Sequence, residues 1–195
     1  MSDLMLDVDQ AGELKAAFRR GDWTNAEIKR ACEGDLLARF RDVVRGYAQI
    51  AITKHVVDCD TKPFLPQGWK VEEHKKGGQL SLDMSKIRLH LSPNQMNSKY
   101  IEGNRLHKEL ASQQVLNANV LDYLLAHPEL IPEDWKRDAD GNTRYIFFWG
   151  TVYHRYSGDD LCVRYLYWDD GAWDWYFCWL VSDFRGYNPA AVLAS

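Results

Sequence analysis

The chain has few cysteines, no CxxC pair and no apolar run long enough to cross a membrane as a helix. The four cysteines lie far apart, at Cys32, Cys59, Cys162 and Cys178. This spacing predicts reduced thiols rather than a disulfide framework or a zinc site. The opening MSDLMLDVDQ lacks the basic-then-apolar pattern of a secretory signal, so a cytoplasmic location is expected. The net charge of −4 gives no general attraction to nucleic acid or anionic membranes.

Four residue types are missing from the last part of the chain. After Lys136 there is no lysine, glutamate, glutamine or methionine, although all four occur before that position. Strand preference lowers the lysine and glutamate content of a segment, but it does not remove four residue types from its turns as well. An asparagine codon altered only at its adenines cannot encode any of the four, nor tryptophan. It can encode Asp, Tyr, His, Ser, Thr, Ala, Pro, Gly, Arg, Cys, Leu, Val, Ile or Phe.

Residues 1–50 predict a module of three short helices. Thr24 and Glu27 have the spacing of a capping box at the start of the second helix. In segment 35–50 apolar residues recur at helical spacing, so we expect Asp35 to cap a third helix with one buried apolar stripe. The module has eight basic and nine acidic residues, which argues against a DNA-binding helix-turn-helix. A structural or oligomerising role is favoured.

Residues 51–195 predict an α+β domain. Segments 51–60 and 86–92 have the apolar content of strands, and two helices are expected within 103–127. From 144 to 183 three strands follow one another, with turn signals at 157–160 and 169–171. The predicted fold class is therefore α+β, with a three-helix module followed by a domain that ends in an antiparallel β-meander.

Residues with catalytic chemistry are scattered. His55, Asp58 and Asp60 come nearest to a metal or catalytic cluster, but strand alternation places His55 opposite the two carboxylates. Cys162 and His154 could approach each other on neighbouring strands, yet nothing local activates the thiol. An enzyme with a site near His55, Asp58 and Asp60 remains an alternative. No metal and no cofactor is expected.

The stretch 168–189, WDDGAWDWYFCWLVSDFRGYNP, interleaves two sets of residues. One set is expected to form a packed scaffold, and it consists of Trp168, Trp173, Trp175 and Trp179. The other set is reachable from an asparagine codon and is expected to contact a ligand. Its members are Asp174, Tyr176, Phe177, Cys178, Ser182, Arg185, Gly186, Tyr187 and Asn188. Exposed tryptophan and tyrosine rings could alternatively be the stacking platforms of a carbohydrate-binding module.

The segment FWGTVYHRYSGDDLCVRYLYWDDGAWDWYFCWLVSDFRGYNPAAVLAS resembles the end of variable proteins from diversity-generating retroelements. The strings GWKVEEHKKGGQ, YIEGNRLHKEL and VLNANVLDYLLAHPELIPEDWK are similar to bacterial proteins that carry this tail. The resemblance covers roughly residues 55–195. The final NPAAVLAS departs from the Gly-Phe-Arg-type closing strand of many members.

This resemblance implies a C-type-lectin-like fold in residues 51–195 and a reverse transcriptase that rewrites adenine positions. It also implies a hypervariable surface, at about 168–189, that binds a protein or a small ligand. The expected protein is not an enzyme and has no nucleic-acid or membrane partner. Homo-oligomerisation stays open.

Overall fold

The computed structural model describes residues 7–50, 54–97, 99–155 and 160–194. The chain divides into two units, Met1–Thr53 and Lys54–Ser195. Helices and strands are both present, and the fold is the α+β class predicted from the sequence. No helix in the described ranges is long and apolar enough to cross a membrane.

The first unit contains the three predicted helices, α1 (Val8–Arg20), α2 (Asn25–Ala31) and α3 (Leu36–Val44). The capping box of α2 is confirmed, because Thr24 N donates to Glu27 Oε2 at 2.7 Å and Glu27 N donates to Thr24 Oγ1 at 3.3 Å. Asp35 occupies the N-cap position of α3, but the prediction that its side chain caps the helix is wrong. Its carboxylate instead accepts a hydrogen bond from Arg39 Nε at 2.9 Å.

The apolar stripe of α3 is exposed, so the prediction that it is buried is also wrong. Leu36, Phe40 and Val44 keep between 51% and 73% of their surface exposed. Among the described residues of this unit only Ala31 is buried. Three helices of 13, 7 and 9 residues supply too little surface to enclose a core of their own.

The described residues of the second unit form ten strands and two α-helices. The strands are β1 (Val56–Asp58), β2 (Trp69–His74), β3 (Gln79–Ser81), β4 (Ile87–His90), β5 (Ile101–Glu102), β6 (Ile146–Arg155), β7 (Leu161–Asp169), β8 (Ala172–Trp179), β9 (Asp183–Phe184) and β10 (Ala190–Leu193). The helices are α4 (Gly103–Glu109) and α5 (Ala118–Ala126). The predicted strand 51–60 is shorter than expected, and residues 51–53 of it lie outside the described ranges.

The main sheet has the strand order β4-β10-β6-β7-β8, and β2 pairs with the other half of β6. The predicted meander β6-β7-β8 is confirmed, because both of its pairings are antiparallel. Asp170 and Gly171 have φ values of 39° and 89°, which is the backbone of a type I′ turn, so they join β7 to β8 tightly. The turn predicted at 157–160 falls mostly outside the described residues.

Both faces of the sheet are covered by other elements. The sequence of β6 is therefore apolar along nearly its whole length. On one face Leu121 and Leu124 of α5 pack against Phe148 and Leu166. On the other face Leu106 of α4 and Leu110, which directly follows the helix, pack against Phe147, Trp149 and Phe184. Eight consecutive residues of β6 are buried, in contrast to the alternation of a strand with one wet face.

The start of α5 is joined to the sheet by a buried polar cluster. Asn117 Nδ2 donates to the carbonyl oxygens of Cys59 at 2.9 Å and Lys75 at 3.0 Å. Gly150 N donates to Leu116 O at 2.8 Å. The backbones approach so closely here that a Cβ atom at position 150 would lie 2.8 Å from Asn117 N.

Candidate functional site

Strand β8 is the edge of the main sheet, and its side chains alternate between two environments. Asp174 and Tyr176 are exposed on the α4 side of the sheet, where Tyr176 keeps 55% of its surface exposed. Trp173, Trp175 and Phe177 are half-buried on the α5 side. The regular pairing of β7 with β8 produces this alternation, as the sequence pattern predicted.

Five tyrosines lie together next to the core on the α4 side of the sheet. This tyrosine face consists of Tyr145, Tyr165, Tyr167, Tyr176 and Tyr187. The ring centroids of neighbouring members are 5.3 to 6.3 Å apart. The sequence indicated Tyr176 and Tyr187 as ligand-contacting residues. It did not indicate Tyr145, which joins the group only when β6 pairs with β7.

Two carboxylates border the tyrosine face at the β7–β8 turn. Asp174 lies directly across from Tyr167 in the strand pairing, and Asp169 follows Tyr167 two residues later on the same face. The pKa of Tyr167 is raised first by burial and then by the carboxylates of Asp174 and Asp169. Burial also raises the pKa of Tyr165 well above its usual value. Both phenols are therefore neutral at physiological pH.

The segment after β8 is held by groups from outside residues 168–189. Gln95 Nε2 donates to the carbonyl oxygens of Arg185 and Asn188, each at 3.0 Å. The backbone N–H of Gly103 donates to Ser182 O at 3.0 Å, and that of Tyr145 donates to Tyr187 O at 2.9 Å. All of these bonds end on backbone oxygens, so exchanging the side chains of the segment does not remove them.

A groove of about 690 Å³ lies beside the tyrosine face. Its lining includes Arg185, Gly186 and Tyr187. Lys99 and Arg144 also line it. The Arg185 guanidinium lies 5.6 Å from the centroid of the Tyr100 ring.

Five of the nine predicted ligand-contacting residues lie in the tyrosine face, at its border or in the groove, and these are Asp174, Tyr176, Arg185, Gly186 and Tyr187. The other four lie elsewhere. Phe177 is on the opposite side of the sheet against Trp69 and Trp179. Cys178 and Ser182 are half-buried, and Cys178 packs against the core on the α4 side. Asn188 is buried, and its Oδ1 accepts a hydrogen bond from Arg185 N at 2.8 Å.

The four predicted scaffold tryptophans are half-buried, and each contacts another ring or a cation. The rings of Trp168 and Trp173 meet edge to face at 5.4 Å, with Lys136 Nζ 3.6 Å from the Trp168 centroid. Trp179 meets Phe177 at 5.1 Å. These contacts lie on the α5 side of the sheet and help to hold β8 against its neighbours.

Trp175 covers an ion pair whose arginine is buried and whose aspartate keeps 31% of its side chain exposed. Arg164 of β7 is only 1% exposed, and its guanidinium donates to Asp122 of α5 at 2.7 and 3.2 Å. The Trp175 ring lies 3.9 Å from the guanidinium carbon, and Phe64 lies at 5.3 Å. The ion pair therefore joins α5 to β7, and the rings of Trp175 and Phe64 cover its guanidinium.

The three side chains of the alternative enzyme site do not converge on one point, because each has its own hydrogen-bond partners. His55 Nδ1 lies 3.1 Å from the Tyr123 hydroxyl oxygen. Asp60 Oδ1 accepts hydrogen bonds from the backbone of Gly77 and Gly78, and the Gly78 bond is the first cause of its lowered pKa. Asp58 Oδ1 accepts from Asp60 N at 2.9 Å. Within the described ranges no three His, Cys, Asp or Glu side chains form a group that could hold a metal ion.

The thiol considered as a nucleophile is inaccessible. Cys162 is fully buried in β7, and burial raises its pKa to about 12. A thiol with this pKa is protonated at neutral pH, so it has almost none of the thiolate that nucleophilic attack requires. Cys162 therefore acts as a small core side chain.

Comparison of the chain with models of protein families, with curated proteins and with solved structures finds no match.

Proposed function

We propose that this chain is a non-enzymatic binding protein whose surface at about 168–189 is diversified by a retroelement. One observation carries the proposal most directly. The segment 180–189 is held through its backbone oxygens by donors from Gln95, Gly103, Asn104 and Tyr145, all outside the exchangeable stretch. A surface held in this way tolerates new side chains at Arg185, Gly186 and Tyr187.

The residue types at this surface support the same proposal. The five surface members of the predicted set are all reachable from an asparagine codon by changes at adenine, whereas the tryptophans behind them are not. Tyrosine and arginine also supply much of the binding energy in protein interfaces, and tyrosine and glycine are frequent in antibody paratopes. The residue types at this surface therefore support both a binding role and diversification at adenine positions.

The proposal includes a C-type-lectin-like scaffold for the second unit. Two helices, α4 and α5, precede an antiparallel meander, which is the order that the family resemblance implies. The segment 190–193 also forms a strand, although its sequence differs from the closing strand of many family members. The partner in this proposal is a protein or a small ligand.

The gene's surroundings test the proposal. We expect a nearby near-copy of the segment that encodes residues 168–189, differing from it mainly at adenines, and a reverse transcriptase gene close by. Sequencing the flanking DNA of the source genome measures both. Absence of the near-copy and of the transcriptase gene would overturn the diversification proposal.

Alanine substitutions in β8 test the division between scaffold and surface. Trp175→Ala is expected to lower the free energy of unfolding by about 2 kcal/mol, because it uncovers the buried Arg164 and leaves a cavity. Tyr176→Ala, at the next residue on the opposite face, should stay within about 0.5 kcal/mol, as should Arg185→Ala. Urea denaturation followed by circular dichroism measures all three. Equal losses would indicate an ordinary core in place of an exchangeable surface.

A further inference from the structure

We propose that the groove beside the tyrosine face binds a small organic carboxylate with an apolar body. The inference rests on the proposed function, because it names the class of ligand that this part of the binding surface takes.

The groove has the size and the mixed lining of a small-molecule site. Its volume of about 690 Å³ lies within the range usual for pockets that hold a drug-sized ligand. It is lined by the end of β4 and by three loops, which follow β4, precede β6 and precede β10. The apolar part of a ligand can pack on the apolar members of this lining, which are Leu89, Leu91, Met96, Tyr187 and Pro189.

Three cations line the groove without carboxylate partners. Within the described ranges Lys99, Arg144 and Arg185 form no ion pair, whereas elsewhere in the same unit Lys70 and Lys136 each contact a glutamate. Cations whose charge is not compensated by the protein attract an anion from solution. The groove therefore offers positive charge beside an apolar surface, which is the complement of a carboxylate with an apolar body.

Arg144 is held in position with most of its donors unused. Its Nη1 donates to the carbonyl oxygen of Asp134, and among the described residues this is the one hydrogen bond of its side chain. A guanidinium has five N–H donors in a planar fork, and the fork matches a carboxylate through two parallel hydrogen bonds. Arg144 thus keeps donors for a carboxylate while the bond to Asp134 restricts where its side chain lies.

Two acids, Asp138 and Asp140, also line the groove and limit the anionic charge that it can hold. The carboxylate of Asp138 is bound within its own loop. Its Oδ1 accepts from the backbone N–H groups of Asp140 and Asn142, and its Oδ2 accepts from Asn142 Nδ2 at 3.0 Å. The Asn142 side-chain bond is the first cause of its lowered pKa. Three cations and two carboxylates leave one positive charge in excess, which suits a monoanion better than a phosphate with two charges.

Fixed and exchangeable residues have different roles in this site. Lys99 and Arg144 lie outside the exchangeable stretch 168–189, whereas Arg185 and Tyr187 lie within it. Two of the three cations therefore stay when the exchangeable side chains change. The fixed cations select a carboxylate, and the exchangeable side chains select the apolar body attached to it.

Two ligands of similar shape and different charge test this inference. Phenylbutyrate and its uncharged amide are titrated into the full chain at neutral pH and low salt, and binding is measured by calorimetry. We expect the carboxylate to bind roughly tenfold more tightly than the amide, because hydrogen bonds to an ionised acceptor are about twice as strong as neutral ones. Equal affinities, no binding of phenylbutyrate, or tighter binding of phenylbutylamine or inorganic phosphate would each overturn the inference.

Variants then locate the carboxylate. Arg144→Gln and Lys99→Gln should each weaken phenylbutyrate binding about fivefold. Arg105→Gln is the matched control, because Arg105 is an exposed cation on α4 outside the groove lining. Thermal melting shows that each variant is folded, and Lys99→Gln removes no hydrogen bond between described residues. A loss in the control as large as that in Lys99→Gln would contradict the assigned site.

A further variant separates the two roles. Tyr187→Leu should lower the affinity for phenylbutyrate relative to hexanoate about threefold, because it removes an aromatic ring from the lining. The preference for phenylbutyrate over its amide should stay as in the parent chain, since Lys99 and Arg144 are unchanged. Loss of that preference in Tyr187→Leu would show that the fixed cations do not select the carboxylate.

The outcome is separable from that of the proposed function. Failure of phenylbutyrate to bind removes the carboxylate ligand but leaves a nearby near-copy of the coding segment to be found. Conversely, carboxylate binding without such a near-copy would support a fixed binding site and overturn only the diversification.

Discussion

Replacement of Asp122 by alanine is expected to lower the free energy of unfolding by about 4 kcal/mol, the largest effect of any single change considered. The substitution leaves the Arg164 guanidinium charged, buried and without its carboxylate partner. Arg164 Nε has no hydrogen-bond partner among the described residues, so the guanidinium already depends on Asp122 for its compensation. Urea denaturation of the purified chain measures the loss.

A double variant separates loss of the ion pair from loss of packing. Asp122→Ala combined with Arg164→Met removes both charges and fills the space beneath Trp175 with an apolar side chain. Because a buried pair replaced by apolar residues often costs little, we expect the double variant to be clearly more stable than Asp122→Ala alone. A loss below about 1 kcal/mol for Asp122→Ala would show that water reaches Arg164 and that the pair is not sealed.

Substitution of Gly150 by alanine is expected to cost about 3 kcal/mol. The added Cβ would lie 2.8 Å from Asn117 N and 2.9 Å from Asn117 Cα, so the helix start or the strand would have to move. Movement of either would strain the bonds from Asn117 to the carbonyl oxygens of Cys59 and Lys75. Thermal and urea denaturation give the change in stability.

Gly186 offers the matched control, because it lies in the proposed exchangeable surface. A Cβ there meets only Gln95 O, at the ordinary contact distance of 3.4 Å. Gly186→Ala should therefore change stability by no more than about 0.5 kcal/mol. A large loss at Gly186 together with a small loss at Gly150 would contradict the close approach described for the Asn117 cluster.

Features set by local sequence were predictable. The alternation along β8, the tight Asp170–Gly171 turn and the capping box at Thr24 each depend on residues within a few positions of one another. The helices α4 and α5 also formed where apolar residues recur at helical spacing. These elements follow from periodicity and turn chemistry alone.

Features set by distant pairing were not predictable. Asp122 lies 42 residues before Arg164, and nothing in either segment indicates that they meet. Tyr145 joins the tyrosine face only through sheet register, and Asn188 is buried because Gln95, 93 residues away, binds its carbonyl oxygen. The α3 stripe has the pattern of a buried face, but burial requires an opposing surface that periodicity cannot reveal.

Because β10 lies within the main sheet, the sheet can form completely only when the chain is translated past residue 189. This strand follows the exchangeable surface in the chain, yet it lies inside the sheet between β4 and β6. A product that stops or changes frame within 168–189 lacks Ala190–Leu193 and leaves the edges of both neighbouring strands open. Such a product exposes apolar surface that proteases and chaperones recognise. If the proposed diversification operates, a surface with new side chains would thus be displayed only when translation has continued in frame beyond it.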